Sequence, residues 1–240
     1  MTPVLLIHSG GFTSRQWRKL AEALAPTHAV IAPDLTGYGA RPRWPTGVPF
    51  HVQTDVDLVA ALVAEQPEPV HVVGHSYGGL LALQLALQHP ARVRSLALYE
   101  PVAFGILEDV DLEPFPRFDP AAPEPWFEAF VDWWNGPGAW QQLGAETKAA
   151  FHDVGWKLSE EVRSLMADRT GAGYAAVTSP TLLLGGGRTQ PLERRVLAAL
   201  AAALPHATLQ IFPELGHMGP ITHAATVNAA IVAHVVASER

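Results

Sequence analysis

Residues 69–88 read PVHVVGHSYGGLLALQLALQ. A β-branched run, Val70, Val72 and Val73, breaks at Gly74-His75-Ser76-Tyr77-Gly78 and resumes after Gly79 as an Ala/Leu segment of helical period. Strand, tight turn and helix therefore follow one another, with Ser76 at the apex. Glycines on both sides let strand and helix approach without Cβ collisions, while the apex residue takes a strained backbone conformation that lifts its hydroxyl above the sheet edge. The amide of Tyr77, at the head of the new helix, points where a carbonyl oxygen would develop negative charge, and the helix dipole adds to that field.

Working outward, residues 4–7 predict a buried strand, residues 29–32 a second and residues 93–99 another after the elbow helix, which ends near His89-Pro90. A helix is predicted from Thr13, capped with Gln16 three residues on and carrying Trp17, Leu20 and Leu24 on one face. The next is predicted over residues 54–65, with Asp55 and Asp57 in its first turn complementing the dipole. Short apolar strands alternating with amphipathic helices predict an α/β fold of right-handed βαβ units in a parallel sheet. Core rhythm resumes at residues 180–187 and continues through a helix over 191–204, a last strand over 207–212 and a final helix over 222–236. The sheet should hold about six strands, flanked by helices, with residues 29–32 at an edge that a loop, a helix or a second copy of the chain would cover.

Between the two core portions, 1–101 and 179–240, residues 102–178 show no core strand. This stretch is rich in proline up to Pro125 and then in aromatics: Trp126, Phe127, Phe130, Trp133, Trp134, Trp140, Phe151 and Trp156. It is too long for a loop and reads as an inserted helical subdomain. Trp126, Phe130, Trp133 and Trp134 share one helical face, and an apolar cleft between structural units is where such rings line a ligand pocket.

The 240 residues carry 16 Lys+Arg against 23 Asp+Glu, a formal net charge of -7, so there is no basic footprint for nucleic acid. With no cysteine there is neither disulfide nor thiolate chemistry, and the N-terminal residues read as a buried strand rather than a signal peptide or membrane span. The expectation is a cytoplasmic protein acting on a small molecule. His71 and His75 stand four apart but straddle a strand and a turn, so they make no zinc pair, and no metal is expected.

Four motifs in order, His8-Ser9-Gly10-Gly11, Pro33-Asp34-Leu35-Thr36-Gly37-Tyr38-Gly39, Gly74-His75-Ser76-Tyr77-Gly78 and Gly216-His217, resemble those of the α/β-hydrolase fold family, in its serine-nucleophile branch with a helical cap. The resemblance implies Ser76 as nucleophile and His217 as the base that takes its proton. It implies an oxyanion hole from the amides of Tyr77 and Gly10, with the register between Gly10 and Gly11 left open. Ser9 and Met218, next to these groups, are placed in the substrate pocket. The family commonly has an Asp just after the strand matching residues 181–185, but here Gly186-Gly187-Arg188-Thr189-Gln190-Pro191 has no carboxylate. Some branches draw the acid from the end of the strand after the elbow helix, where this chain has Glu100; Asp34 and Glu214 are weaker candidates.

The implied activity is cofactor-independent hydrolysis of a small, largely apolar ester through an acyl-enzyme. Alternatives are perhydrolysis or carbon–carbon bond cleavage by the same residues, or a non-catalytic small-molecule receptor with a hydrolase shell.

Overall fold

Runs such as Val4-Leu5-Leu6-Ile7 are apolar on both faces, so they are stable only as inner strands of a sheet covered on each side. A computed structural model describes residues 1–107 and 114–239. In it, six strands pair in parallel: β1 (Pro3–Ile7), β2 (Ala29–Ile31), β3 (Val70–His75), β4 (Val93–Tyr99), β5 (Thr181–Gly186) and β6 (Ala207–Phe212). Their order is β2-β1-β3-β4-β5-β6. Period-two alternation splits the core: Leu5, Ile7, Val70 and Val72 pack into one apolar cluster, Val4, Leu6 and Val73 into the other.

The first face is covered by α2 (Val52–Ala64), α3 (Tyr77–Gln88) and α7 (Pro191–Ala203), and the second by α1 (Arg18–Leu24) and the C-terminal helix. Between β4 and β5 the described residues form three further α-helices, α4 (Glu124–Asn135), α5 (Ala139–Gln142) and α6 (Ala145–Ala167). After β6 come a single turn, α8 (Gly219–Thr222), and α9 (Ala224–Ala237). Among the described residues, no helix is long and apolar enough to cross a membrane.

Local expectations were overridden where tertiary bonds competed. Thr13 caps nothing, because a 3₁₀ turn, Ser14–Trp17, precedes α1 and Gln16 is drawn away to bond Ser9 and His75. In α2 the cap is His51, whose Nδ1 accepts from the Gln53 amide at 3.1 Å, and Asp55 is fully buried rather than facing solvent. The β2 edge is only three residues long, and at the opposite edge β6 exposes Leu209 and Ile211.

The register decides what meets at the carboxyl rim. His75 is level with Tyr99, and Tyr99 with Leu184, so the residues that follow β3, β4 and β5 emerge side by side. Ser76, Glu100 and the 187–190 turn are neighbours for that reason.

Candidate active site

Ser76 takes φ 54 and ψ -118, in the region that ordinary residues avoid. The turn is held by close backbone approach: a Cβ on Gly74 would collide with the Gly78 carbonyl, and one on Gly78 with the carbonyls of Ile7 and His8. Neither position can carry a side chain. The Ser76 hydroxyl, thus raised, lies 3.0 Å from His217 Nε2, and His217 Nδ1 lies 2.7 Å from Glu100 Oε2. The three residues are buried, so this chain of hydrogen bonds is shielded from competing water. Donation from Nδ1–H to the carboxylate leaves the Nε2 lone pair facing the hydroxyl.

Glu100 is the other non-glycine residue described with positive φ, at 42. The turn it makes aims its carboxyl back over the rim, where Oε1 accepts from the Gly186 amide at 2.7 Å and Oε2 accepts from the Thr189 hydroxyl at 2.7 Å. Thr189, at the place where the family commonly has an acid, therefore donates to the acid that stands elsewhere. The other two candidates serve different ends: Asp34 accepts from the amides of Ser14 and Ala40, and Glu214 pairs with Arg188 at the surface.

Behind Glu100 sits Glu193, in the first turn of α7, fully buried and with neither oxygen partnered among the described residues. Burial, and then the charge of Glu100, raise its pKa well above the ordinary range, which favours the neutral acid. The periodicity of α7 gave no sign of it, since a glutamate in a first turn reads as a dipole partner facing water.

The turn that carries His217 is pinned at two carbonyls. His75 Nε2 lies 2.9 Å from the His217 carbonyl, and the Tyr99 hydroxyl donates to the Gly216 carbonyl at 2.8 Å. Gln16 Nε2 stands 3.1 Å from His75 Nδ1, so the amide donates there and the proton of the imidazole lies on the His217 side. Burial first, and the neighbouring His217 second, hold the His75 pKa well below the usual imidazole range. Its ring holds the His217 turn, and burial favours its uncharged form.

The loop after β1 offers its amides to different partners. The Ser9 amide donates to Gln16 Oε1 at 3.0 Å. Gly10, the next residue, lies with Tyr77 on the wall of a cavity of about 350 Å³ that Ser76 and His217 also line. Of the predicted pocket residues, Ser9, Phe130, Trp134 and Met218 line this cavity. Trp134 stacks on the His217 ring, centroids 3.8 Å apart and planes 18° apart.

Trp126 and Trp133 do not line it, which corrects the sequence reading. Phe130 and Trp134 are four apart on α4 and point together, whereas Trp126 stacks behind Phe130 at 5.0 Å and Trp133 packs against Phe115. A face wide enough to hold all four rings is wider than the cavity.

Glu161 of α6 also reaches the cavity wall, unannounced by the sequence. Its Oε2 accepts from the Tyr38 hydroxyl at 2.9 Å and pairs with Lys157, which in turn bonds Asp55 Oδ2 at 3.0 Å. Burial raises its pKa to about 7, with Lys157 opposing the shift. A side chain on Gly10 would collide with Glu161 Oε1, so that oxygen lies against the loop next to the nucleophile.

The sequence pattern of the alpha/beta hydrolase family matches residues 4–230. The chain is 30% identical to the 2-hydroxymuconate semialdehyde hydrolase of Pseudomonas sp. (strain CF600), over 93% of this chain and 83% of that one. It is 28% identical to the pimeloyl-(acyl-carrier protein) methyl ester esterase of Chromobacterium violaceum, over 97% and 93%. A meta-cleavage product hydrolase from Pseudomonas fluorescens IP01 has a similar fold, with a TM-score of 0.74, 22% identity and coverage of 99% of this chain and 92% of that one.

Proposed function

The chain belongs to the alpha/beta hydrolase family and is a hydrolase, and from that premise we propose that it cleaves a small, largely apolar ester through an acyl-enzyme on Ser76. The observation that carries this reading is the continuous chain Ser76 Oγ–His217–Glu100, with links of 3.0 and 2.7 Å. As the hydroxyl attacks the ester carbonyl, His217 Nε2 takes its proton, and Glu100 stabilises the imidazolium that results. The amides of Gly10 and Tyr77 receive the oxyanion. Collapse expels the alcohol with the proton from His217, and a water molecule then repeats the sequence to release the acid.

In this reading, residues 102–178 act as a cap that selects the substrate. Its walls are apolar, with Phe130, Val131, Trp134, Val162 and Leu165, apart from the carboxyl of Glu161 and a few amides and hydroxyls. Substrate selection follows from shape and apolar contact more than from ion pairing.

A second reading draws on the Pseudomonas sp. relative at 30% identity and takes 2-hydroxymuconate semialdehyde, or a compound like it, as the substrate of the same three residues. The cavity ranks it second: no lysine or arginine stands among its described lining residues to receive a carboxylate.

The test is labelling with a fluorophosphonate, followed by turnover on a series of p-nitrophenyl esters of increasing acyl length. Wild type should label at Ser76 and Ser76→Ala should not, with turnover falling for charged acids. Failure of the folded wild type to label, together with tight binding of a small ligand, would establish a receptor instead.

A further inference from the structure

His71 and His75 sit near opposite ends of β3, and the His71 end has its own cluster of polar side chains. His28 lies just before β2, His71 is the second residue of β3, and Glu239 follows α9, which crosses the same face of the sheet through Val227, Ile231 and Val235. Four residues of extended chain put this cluster roughly 13 Å from the catalytic rim.

We propose that His28, His71 and Glu239 form a binding site for a divalent first-row transition-metal ion. The ligand atoms of all three lie within 4.8 Å of one another, and His28 Nε2 is 3.2 Å from Glu239 Oε1. Donors at about 2.0–2.1 Å from a tetrahedral zinc ion are roughly 3.3 Å apart, so one pair already has coordination spacing and the third atom has only a short way to close.

Two independent features point to a cation rather than to a chance meeting. Both rings are buried; His71 Nε2 has no hydrogen-bond partner among the described residues, and His28 Nε2 faces only the Glu239 carboxylate, 3.2 Å away. Each Nδ1 is held by a hydroxyl, His28 by Thr27 Oγ1 at 2.8 Å and His71 by Ser95 Oγ at 2.7 Å. When those hydroxyls accept from Nδ1–H, both Nε2 lone pairs are free to bind metal, which is the outer-sphere arrangement of metal-bound histidines. The opposite tautomer of His71 would bury an N–H group without an acceptor among the described residues. A simple ion pair between a protonated His28 and Glu239 accounts for one ring and leaves His71 Nε2 with nothing to bind.

The Glu239 side chain is 35% exposed, which provides an entry path and room for water as a fourth ligand. The bound ion would tie the end of α9 to β2 and β3, and so would stabilise the edge of the sheet by mass action, without entering the chemistry at Ser76.

Zinc and cobalt are the probes, because 11 histidines make weak surface binding a real competitor. Chelator-treated full-length protein should take up one Zn²⁺ by calorimetry and melt at a higher temperature with it. The Co²⁺ form should show the intense visible bands of a tetrahedral site. Glu239→Gln, at a half-exposed position that leaves the fold intact, should weaken binding at least tenfold, and Thr27→Val by 10- to 100-fold, both with ester turnover unchanged. The proposal is overturned if no metal binds tighter than millimolar, or if one ion binds equally well to wild type, Glu239→Gln and His28→Asn.

Discussion

The carboxyl rim of the sheet and the helical cap face each other across one cavity, yet they contribute to it by different physical means. Gly10, Ser76, Glu100 and His217 leave the ends of β1, β3, β4 and β6, where hydrogen-bonded register fixes each exit point against its neighbours. The cap contributes Phe130, Trp134, Val162 and Leu165 from α4 and α6, held by ring-on-ring packing with no such register. In the proposed reading, chemistry that depends on a 3.0 Å contact is built on strand ends, and selection by shape on the helices opposite. Trp134, stacked on His217, is the point where the two overlap.

This division can be tested by substitution on either side of the cavity. Ser76→Ala should have the largest effect, a loss of turnover of roughly a millionfold with the fold intact by circular dichroism, since removing a nucleophile costs about as much as removing all its partners. Glu100→Gln should follow, at roughly ten-thousandfold in kcat with little change in KM, as the neutral amide no longer holds the imidazole tautomer. Near-normal turnover in that variant would deny the β4 end its part and leave Thr189 and Gly186 bonded to a merely structural carboxylate.

Across the cavity, Trp134→Ala should act mostly on KM and on acyl-length preference, with kcat lowered by roughly tenfold or less. A kcat loss as large as that of Glu100→Gln would break the comparison, because the cap would then be setting the base as well as the selection. The smallest effect belongs to Glu193→Gln, read as thermal stability. A carboxyl whose pKa is raised in the fold keeps its proton where the unfolded chain has lost it, so its contribution declines as pH rises above the ordinary carboxylate range. The melting temperature of Glu193→Gln should rise relative to wild type as pH is taken from 5 to 8, and a difference that stays flat would show that Glu193 is ionised in the fold.

Motifs set by backbone geometry were the legible ones. The elbow is recognisable because a strained Ser76 needs glycine at 74 and 78, and the six strands because inner parallel strands must be apolar throughout. Glu100 could be singled out because some branches of the resembled family place the acid at the end of that strand. Gln16, Glu161 and Glu193 could not. On an amphipathic helix or turn a polar residue reads as solvent-facing, and only the packing of distant segments turns it inward. The error at Trp126 and Trp133 has the same origin: helical period assigns a face, but the width of the cavity decides which part of that face meets substrate.

By itself, then, the sequence determined the alternation of strand and helix, the turn that raises Ser76 and the kind of residue that could serve it, because these depend on local sterics and on periodicity over a few residues. The tertiary structure decided which groups meet: Thr189 with Glu100, His75 with the His217 carbonyl, Tyr38 with Glu161. Contacts between residues as much as 142 positions apart are set by strand register and helix docking, and these minimise the free energy of the whole chain rather than of any stretch within it.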